Sequence, residues 1–181
     1  MPADTLTIRR ATAADAGPLA EVALRSFMEA FAAQNQPDDV AAYTARVYGE
    51  AQQAAEITNP AIVTLVGEVD GGMAAYAQLR WIPAGPGVTG PAPVEIMRFY
   101  VDAPWHGQGI AQRMMDAVLR TAREIGARTA WLAVWEHNPR AMAFYTRRGF
   151  RVVGEQEFWL GSERQNDFVM MLPLDAKGAT G

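Results

Sequence analysis

Residues 101–115 read VDAPWHGQGIAQRMM: a strand end, a turn punctuated by Gly107 and Gly109, and the opening of an amphipathic helix. Such a junction aims several unpaired backbone N–H groups at one point, where the helix dipole adds roughly half a positive charge. The two glycines let the backbone approach a ligand closely. Ile110, Met114, Ala117, Val118, Thr121 and Ile125 recur at three- and four-residue spacing and Gly126 supplies a stop, which predicts a helix over residues 109–125. Its first turn is unusual. Helix starts favour Asp or Glu, yet none stands between Gly107 and Met115, and Arg113 sits where the dipole disfavours a cation. A bound anion accounts for both.

Around this stretch lies a chain of 181 residues, 50% hydrophobic and 20% charged, which is long enough for one well-packed domain and short for two. One domain is expected over residues 1–174. The tail DAKGATG, residues 175–181, has nothing to pack and is expected to be disordered. With no cysteine, disulfides, thiolate metal sites and Cys nucleophiles are excluded together. The N-terminus has no apolar run of the signal-peptide kind, and no stretch approaches a membrane span, so a cytoplasmic protein is expected.

The net charge of −4 conceals an uneven distribution. Residues 1–70 hold 4 basic and 10 acidic side chains, a balance of −6, whereas residues 104–151 hold 8 basic and 3 acidic, a balance of +5. Such runs are usually solvated faces. The sharper reading is an anionic ligand on one side and a cationic one on the other. A chain acidic in sum argues against nucleic acid as the anion.

Upstream, Leu6, Ile8 and Arg10 alternate as a short strand, and Thr12 with Asp15 forms a capping box before a helix running to about residue 32. After Pro37, Val40, Tyr43, Val47 and Ala51 predict one further helix, ended by Asn59 and Pro60. Residues 61–69 and 73–81 form a hairpin around Asp70-Gly71-Gly72. Residues 82–93, rich in proline and glycine, form a loop long enough to be functional or mobile. Strand 94–101 is apolar except for Glu95 and Arg98, which places it centrally in the sheet. Strand 129–135, a helix from Asn138-Pro139 closed by Gly149, a strand beginning at residues 150–153, and a strand 166–172 complete the chain.

Three pieces in order, VEIMRFYV (94–101), HGQGIA (106–111) and WEHNPRAMAFYTRRGF (135–150), resemble the GNAT superfamily of acetyl-CoA-dependent N-acetyltransferases. The family turn runs Arg or Gln, two residues, Gly, one residue, then Gly or Ala. Here His106 departs from it while Gly109 and Ala111 conform. The second pattern, Asn-x-x-Ala-x-x-Phe-Tyr-x-x-x-Gly-Phe, is met throughout by residues 138–150. Residues 26–43 and the closing QNDFVMML are also similar to the bacterial spermidine/spermine acetyltransferase branch.

The resemblance implies an α/β fold with a mostly antiparallel, twisted sheet of about seven strands and helices on both faces. It implies acetyl-CoA as cosubstrate, no metal, and transfer to a primary amine, a polyamine or other small amine being favoured. Protein N-termini or lysines, a non-catalytic acetyl-CoA-binding module and a homodimer stay open. His106, Gly107, Gln108, Gly109, Ile110, Ala111 and Gln112 would hold the pyrophosphate, a task of backbone N–H groups that tolerates His106. Phe99, Tyr100 and Val101 would offer a strand edge to the pantetheine arm, and Asn138 would contact that arm, cap its helix, or both.

An amine of pKa near ~10 is about one part in a thousand neutral at pH 7, roughly 4 kcal/mol to be found, so a base helps. Glu95 is the first choice, as a carboxylate interrupting an apolar strand. Burial would raise its pKa, and the alternative is a solvent-facing strand start. Tyr145 holds the family's position for protonating the CoA sulfur, with Phe144 packing inward beside it. Phe27, Glu29 and Phe31 lie on the helix pair that lines the acceptor site in the superfamily. Trp81 and Trp159 are the tryptophans assigned to substrate, the other three to packing. His106 and His137 are too isolated for a metal site. Arg147 and Arg148 face CoA phosphates or solvent.

Two other chemistries fit less well. Gly107-Gln108-Gly109 lacks the third glycine and the downstream acid of a Rossmann site, and no GxxxxGK[ST] loop is present.

Overall fold

The computed structural model describes residues 5–174, so the expected tail at residues 175–181 lies outside the described residues. In chain order the elements are β1 (Thr7–Arg10), α1 (Ala16–Phe31), α2 (Pro37–Val47), α3 (Glu50–Thr58), β2 (Ile62–Val69), β3 (Gly72–Arg80), β4 (Pro93–Val101), α4 (Ile110–Glu124), β5 (Thr129–Trp135), α5 (Pro139–Arg147), β6 (Arg151–Leu160) and β7 (Glu163–Pro173). The strands form one seven-stranded sheet in the order β1-β2-β3-β4-β5-β7-β6. Every pairing is antiparallel except β4 with β5. The near-continuous apolar strand β4 is the middle one, as its pattern predicts.

Each face carries its own core. Met114, Val118 and Ala122 of α4 pack with Leu79, Val94, Ile96, Leu132 and Met170 of the sheet and with Tyr145 of α5. On the opposite face Leu19, Ala23 and Phe27 of α1 join Val40 and Tyr48, and Val66 and Tyr76 of the sheet. Nearly every side chain in these cores is under a tenth exposed, the state in which apolar burial stabilises most.

One predicted helix divides into two. Val40, Tyr43, Val47 and Ala51 keep a helical period, but the chain leaves it at Tyr48, and Gly49 then caps α3 in an extended conformation. The break buries the Tyr48 ring beside Phe27, with centroids 5.3 Å apart. The glycine- and proline-rich loop between β3 and β4 proves anchored. A Cβ at Gly154 would lie 2.3 Å from the Pro86 carbonyl oxygen, and the Thr89 N–H donates to Met171 Sδ. No residue of this loop lines the cavities described below.

The parallel pairing is the feature that positions the site. β4 and β5 pair only at 93–95 with 129–131, and from Ile96 and Leu132 onward no ladder joins them. At the same level β4 carries an irregularity: Gln78 pairs Arg98 and Leu79 pairs Ile96, leaving Met97 as an extra, bulged residue. The sheet is therefore split through its centre.

Candidate active site

The split opens into two adjoining cavities, and Phe31, Ile96, Met97, Arg98, Tyr100, Ala133 and Trp135 line both. The first, about 590 Å³, lies over α4 and α5. Its floor includes Phe99, Tyr100 and Val101 of the β4 edge, its end the turn residues His106, Gly107, Gly109, Ile110, Ala111 and Gln112, and its side Asn138 and Tyr145. These are sequence-predicted residues brought together from three separate stretches.

The turn is built as its glycines require. Gly107 and Gly109 have φ of +77° and +78°, and Gly109 stands as the N-cap of α4. A Cβ at either would meet nothing within 4 Å, so the space before the helix start is open for a ligand. The acid-free first turn then presents the orphan N–H groups of a 15-residue helix to that space. Such a cradle fits a pyrophosphate. Among the described residues no group of three or more His, Cys, Asp or Glu side chains could hold a metal ion.

Three anchors hold the turn, none of them read from the sequence. Asp102 is buried and takes Arg25 of α1 on both oxygens at 2.6–3.2 Å, which keeps its carboxyl below the usual range. His106 Nε2 lies 2.7 Å from the Val101 carbonyl oxygen. Arg113, expected beside an anion, instead donates from Nη2 to the Leu6 carbonyl at 3.1 Å. Gln108 also departs from expectation: its side chain donates to the Pro104 carbonyl at 2.9 Å and does not line the cavity.

At the other end, Asn138 caps α5 by accepting from the Ala141 N–H at 3.1 Å and also lines the cavity. Tyr145 and Phe144 exchange their expected places. Tyr145 is the more buried of the two, in T-shaped contact with Phe99, Phe144 and Phe150, while Phe144 is half-buried and stacked on Phe99. Both rings line the cavity, and burial holds the Tyr145 phenol well above its ordinary pKa. Arg147 reaches the rim, whereas Arg148 is paired with Asp116.

The second cavity, about 300 Å³, lies under α1 and α2. Phe27, Phe31, Tyr43, Tyr48, Tyr100, Trp135 and Phe158 give it an aromatic wall, which includes two of the expected acceptor residues, Phe27 and Phe31, the latter also lining the first cavity. Four other assignments need correction. Glu29 lines the first cavity, its Oε1 4.0 Å from His106 Nδ1. Trp81 and Trp159 line neither cavity, because side chains alternate along a strand and it is their neighbours Arg80 and Phe158 that point inward. Glu95 is buried and does line the second cavity, but its Oε2 accepts from Arg80 Nε and Nη2 at 2.8 and 2.6 Å. It is thus a paired carboxylate rather than one isolated by burial.

A carboxylate that sequence reasoning passed over is Asp167 on β7, opposite Trp135 in the ladder and lining the same cavity. The clue that singled out Glu95, an acid in an apolar strand, was equally present in QNDFVMML. Burial, reinforced by Glu136, pushes its carboxyl up to about 6.

Residues 24–150 match the Acetyltransferase (GNAT) family. The chain belongs to this family. As a GNAT protein it is an acetyl-CoA-dependent N-acetyltransferase. An uncharacterized N-acetyltransferase of Mycobacterium tuberculosis is 34% identical over 161 residues, covering 88% of this chain and 98% of the relative. A spermine/spermidine N(1)-acetyltransferase of Bacillus subtilis is 31% identical over 62 residues, 34% of this chain and 41% of that one. The GNAT fold is shared with the crystal structure of the PaiA N-acetyltransferase from Thermoplasma acidophilum in complex with coenzyme A. There the TM-score is 0.76 at 20% identity, covering 93% of this chain and 99% of the other.

Proposed function

We propose that this acetyltransferase passes the acetyl group of acetyl-CoA directly to a small primary amine, with the cosubstrate in the first cavity and the acceptor in the second. The observation that carries the reading is the gap between β4 and β5, through which the two cavities share Met97, Ala133 and Trp135 among other residues. Acetyl-CoA supplies an activated acyl group and a thiol leaving group.

The protein's own part is positioning and proton management. The N–H groups of residues 107–112 hold the pyrophosphate, and the unpaired β4 edge at Phe99, Tyr100 and Val101 meets the pantetheine amides by strand addition. The bulge at Met97 frees a backbone N–H, which serves the thioester oxygen as charge grows on it. Tyr145 donates to the departing sulfur. Its raised pKa keeps it protonated at neutral pH, at the cost of a weaker donor. Asn138 keeps its Nδ2 for the cosubstrate arm while Oδ1 caps α5. Glu95, tied to Arg80, contributes a charged wall to the acceptor side.

A polyamine acceptor has the B. subtilis relative behind it, by the name of that protein and over the matched third of this chain. The test is acetyl-CoA titration calorimetry alongside thiol release over a panel of polyamines, monoamines, amino acids and peptide amines. Binding with release for at least one amine class is expected. Binding with release for none would reduce the protein to a cofactor-binding module.

A further inference from the structure

Charge accounting in the second cavity narrows the acceptor. Four ionisable side chains other than tyrosine line it: Arg80, Glu95, Arg98 and Asp167. Arg80 is paired with Glu95 at 2.6 Å. Arg98 is paired with the buried Glu56 at 2.5 Å and donates to Gln78 Oε1 at 2.6 Å, with its guanidinium over the Tyr48 ring. What is left over is one negative charge, that of Asp167. The residue is 9% exposed, and among the described residues no hydrogen bond to its carboxylate is made. An unpartnered carboxylate on a residue nine-tenths buried, facing a cavity, is a costly arrangement for stability alone.

The lining around that carboxylate is largely aromatic. Tyr43 stacks on Phe27 with centroids 5.0 Å apart, Phe158 meets Tyr43 edge-on at 5.7 Å, and Phe31 packs on Trp135 at 5.6 Å. Ring faces attract a cation and accommodate an apolar body equally well. Resting on the acetyl-transfer reading above, we infer that the second cavity takes a primary ammonium bearing one charge and an aromatic or aliphatic body, with Asp167 anchoring that ammonium and accepting its proton.

The position suits the task. Asp167 is the direct cross-strand partner of Trp135, which lines both cavities, so the carboxylate stands one strand from the gap where transfer occurs. The groups facing it are Glu136 just beyond β5, Tyr43 from α2, the uncharged Gln156 from β6 and, across the cavity, the two arginine pairs. Its pKa near 6 leaves it ionised at pH 7 while making it a better proton acceptor than an ordinary aspartate. Burial holds Tyr43, Tyr48 and Tyr100 protonated, so they do not compete as bases.

The step balances without a further reactant. The ammonium gives one proton to Asp167, and the freed lone pair forms the N–C bond while the C–S bond breaks. The sulfur takes the Tyr145 proton, the second nitrogen proton restores Tyr145 through solvent, and Asp167 releases the first to bulk water. A polyamine would bring further ammonium groups for which this cavity holds no unpaired carboxylate. Glu29 lines the first cavity and not the second, and Asp39 is engaged by the Ser162 N–H and hydroxyl.

The experiment compares 2-phenylethylamine, hexylamine, spermidine and aniline as acceptors, with thiol release as readout, for the parent and Asp167→Asn. The monoamines should exceed spermidine in kcat/KM by tenfold or more. Asp167→Asn should lose about 10²-fold in kcat/KM for 2-phenylethylamine with acetyl-CoA affinity unchanged, which also certifies its fold. The acid limb of the parent's pH profile near 6 should vanish in the variant. Aniline, already neutral at assay pH, should shrink the variant's deficit at least tenfold. Preference for spermidine, a variant within twofold of the parent, or an equal deficit with aniline would each overturn the inference while leaving acetyl transfer in place. A parent that binds acetyl-CoA and acetylates no amine would overturn the proposed function itself, and this inference with it.

Discussion

The two cavities share seven residues yet are built from different material. The side proposed for the cosubstrate relies on backbone: the amides of the turn before α4, the open edge of β4 and the bulge at Met97. The acceptor side is almost entirely side chain, drawn from α1, α2, β3, β4, β5, β6 and β7. Backbone recognition asks the sequence for glycines and for the absence of acids, so it survives a departure such as His106. Side-chain recognition asks for particular residues at particular places, and changing one of them changes the acceptor.

The largest effect should come from breaking the backbone side. Gly109→Asp puts a Cβ at φ +78° and a negative charge at the anion cradle. The left-handed conformation costs a side chain about 1–2 kcal/mol of folding stability with or without ligand, whereas the like charge opposes the bound anion by several kcal/mol. About 4 kcal/mol from the charge is roughly a 10³-fold loss of acetyl-CoA affinity. Calorimetry reads it directly, and Gly109→Ala, with the strain and without the charge, should lose far less affinity than Gly109→Asp while lowering Tm. Unchanged affinity in Gly109→Asp would remove the turn from the cosubstrate site.

Tyr145→Phe comes next, because it spares both cavities' shape. The ring keeps its contacts with Phe99, Phe144 and Phe150, so folding and acetyl-CoA binding should persist. Loss should fall on kcat by about 10²-fold with KM little changed, the contribution of a positioned acid. Single-turnover rates within twofold of the parent would make Tyr145 a packing residue and leave sulfur protonation to water.

These expectations rest on the half of the site that the sequence made legible. The turn, α4, α5 and the central place of β4 follow from glycines, apolar period and motif spacing, all local to residues 94–150. Of the second cavity only Phe27, Phe31 and Glu95 were legible as acceptor-side residues, because its members come from seven elements and meet only when the sheet is assembled. Glu95 was found by a sound rule, an acid in an apolar strand. The rule could not see Arg80, whose register across β3 and β4 neutralises it. Trp81 and Trp159 failed by one residue each, since a period of two turns a one-residue error into the opposite face. The break at Tyr48 and Gly49 was hidden by an apolar period that continues through it, and tertiary burial of the Tyr48 ring decided the matter.

A smaller effect separates function from stability on the acceptor side. Asp167 has a folded pKa of about 6 against 3.8 unfolded, so between those values the folded state binds more protons. Stability therefore falls as pH rises through that window, the reverse of an ion-paired aspartate. Asp167→Asn removes this titration. At pH 7 it should gain about 1–2 kcal/mol, a fraction of the full linkage because the carboxylate opens onto a cavity, or a few degrees in Tm. The gain should disappear below pH 4. Equal Tm values for the two proteins at pH 7 would mean that the carboxylate is not strained by its burial.

The smallest effect is expected one residue from the acceptor wall. Phe158 and Trp159 are neighbours on β6: the first lines the second cavity and packs edge-on against Tyr43, the second is 55% exposed and lines nothing. Trp159→Ala removes the larger ring and should leave kcat and KM for the best amine within twofold. Its cost in stability should also be small, since more than half of the side chain is already in water. Phe158→Ala should raise KM severalfold by deleting part of the wall that holds the amine's body, with kcat less affected. The pair isolates the register of β6 from its composition, because both changes delete an aromatic ring from the same strand. If Trp159→Ala raises KM as much as Phe158→Ala does, the inward face of β6 has been misassigned, and with it the aromatic side of the acceptor cavity.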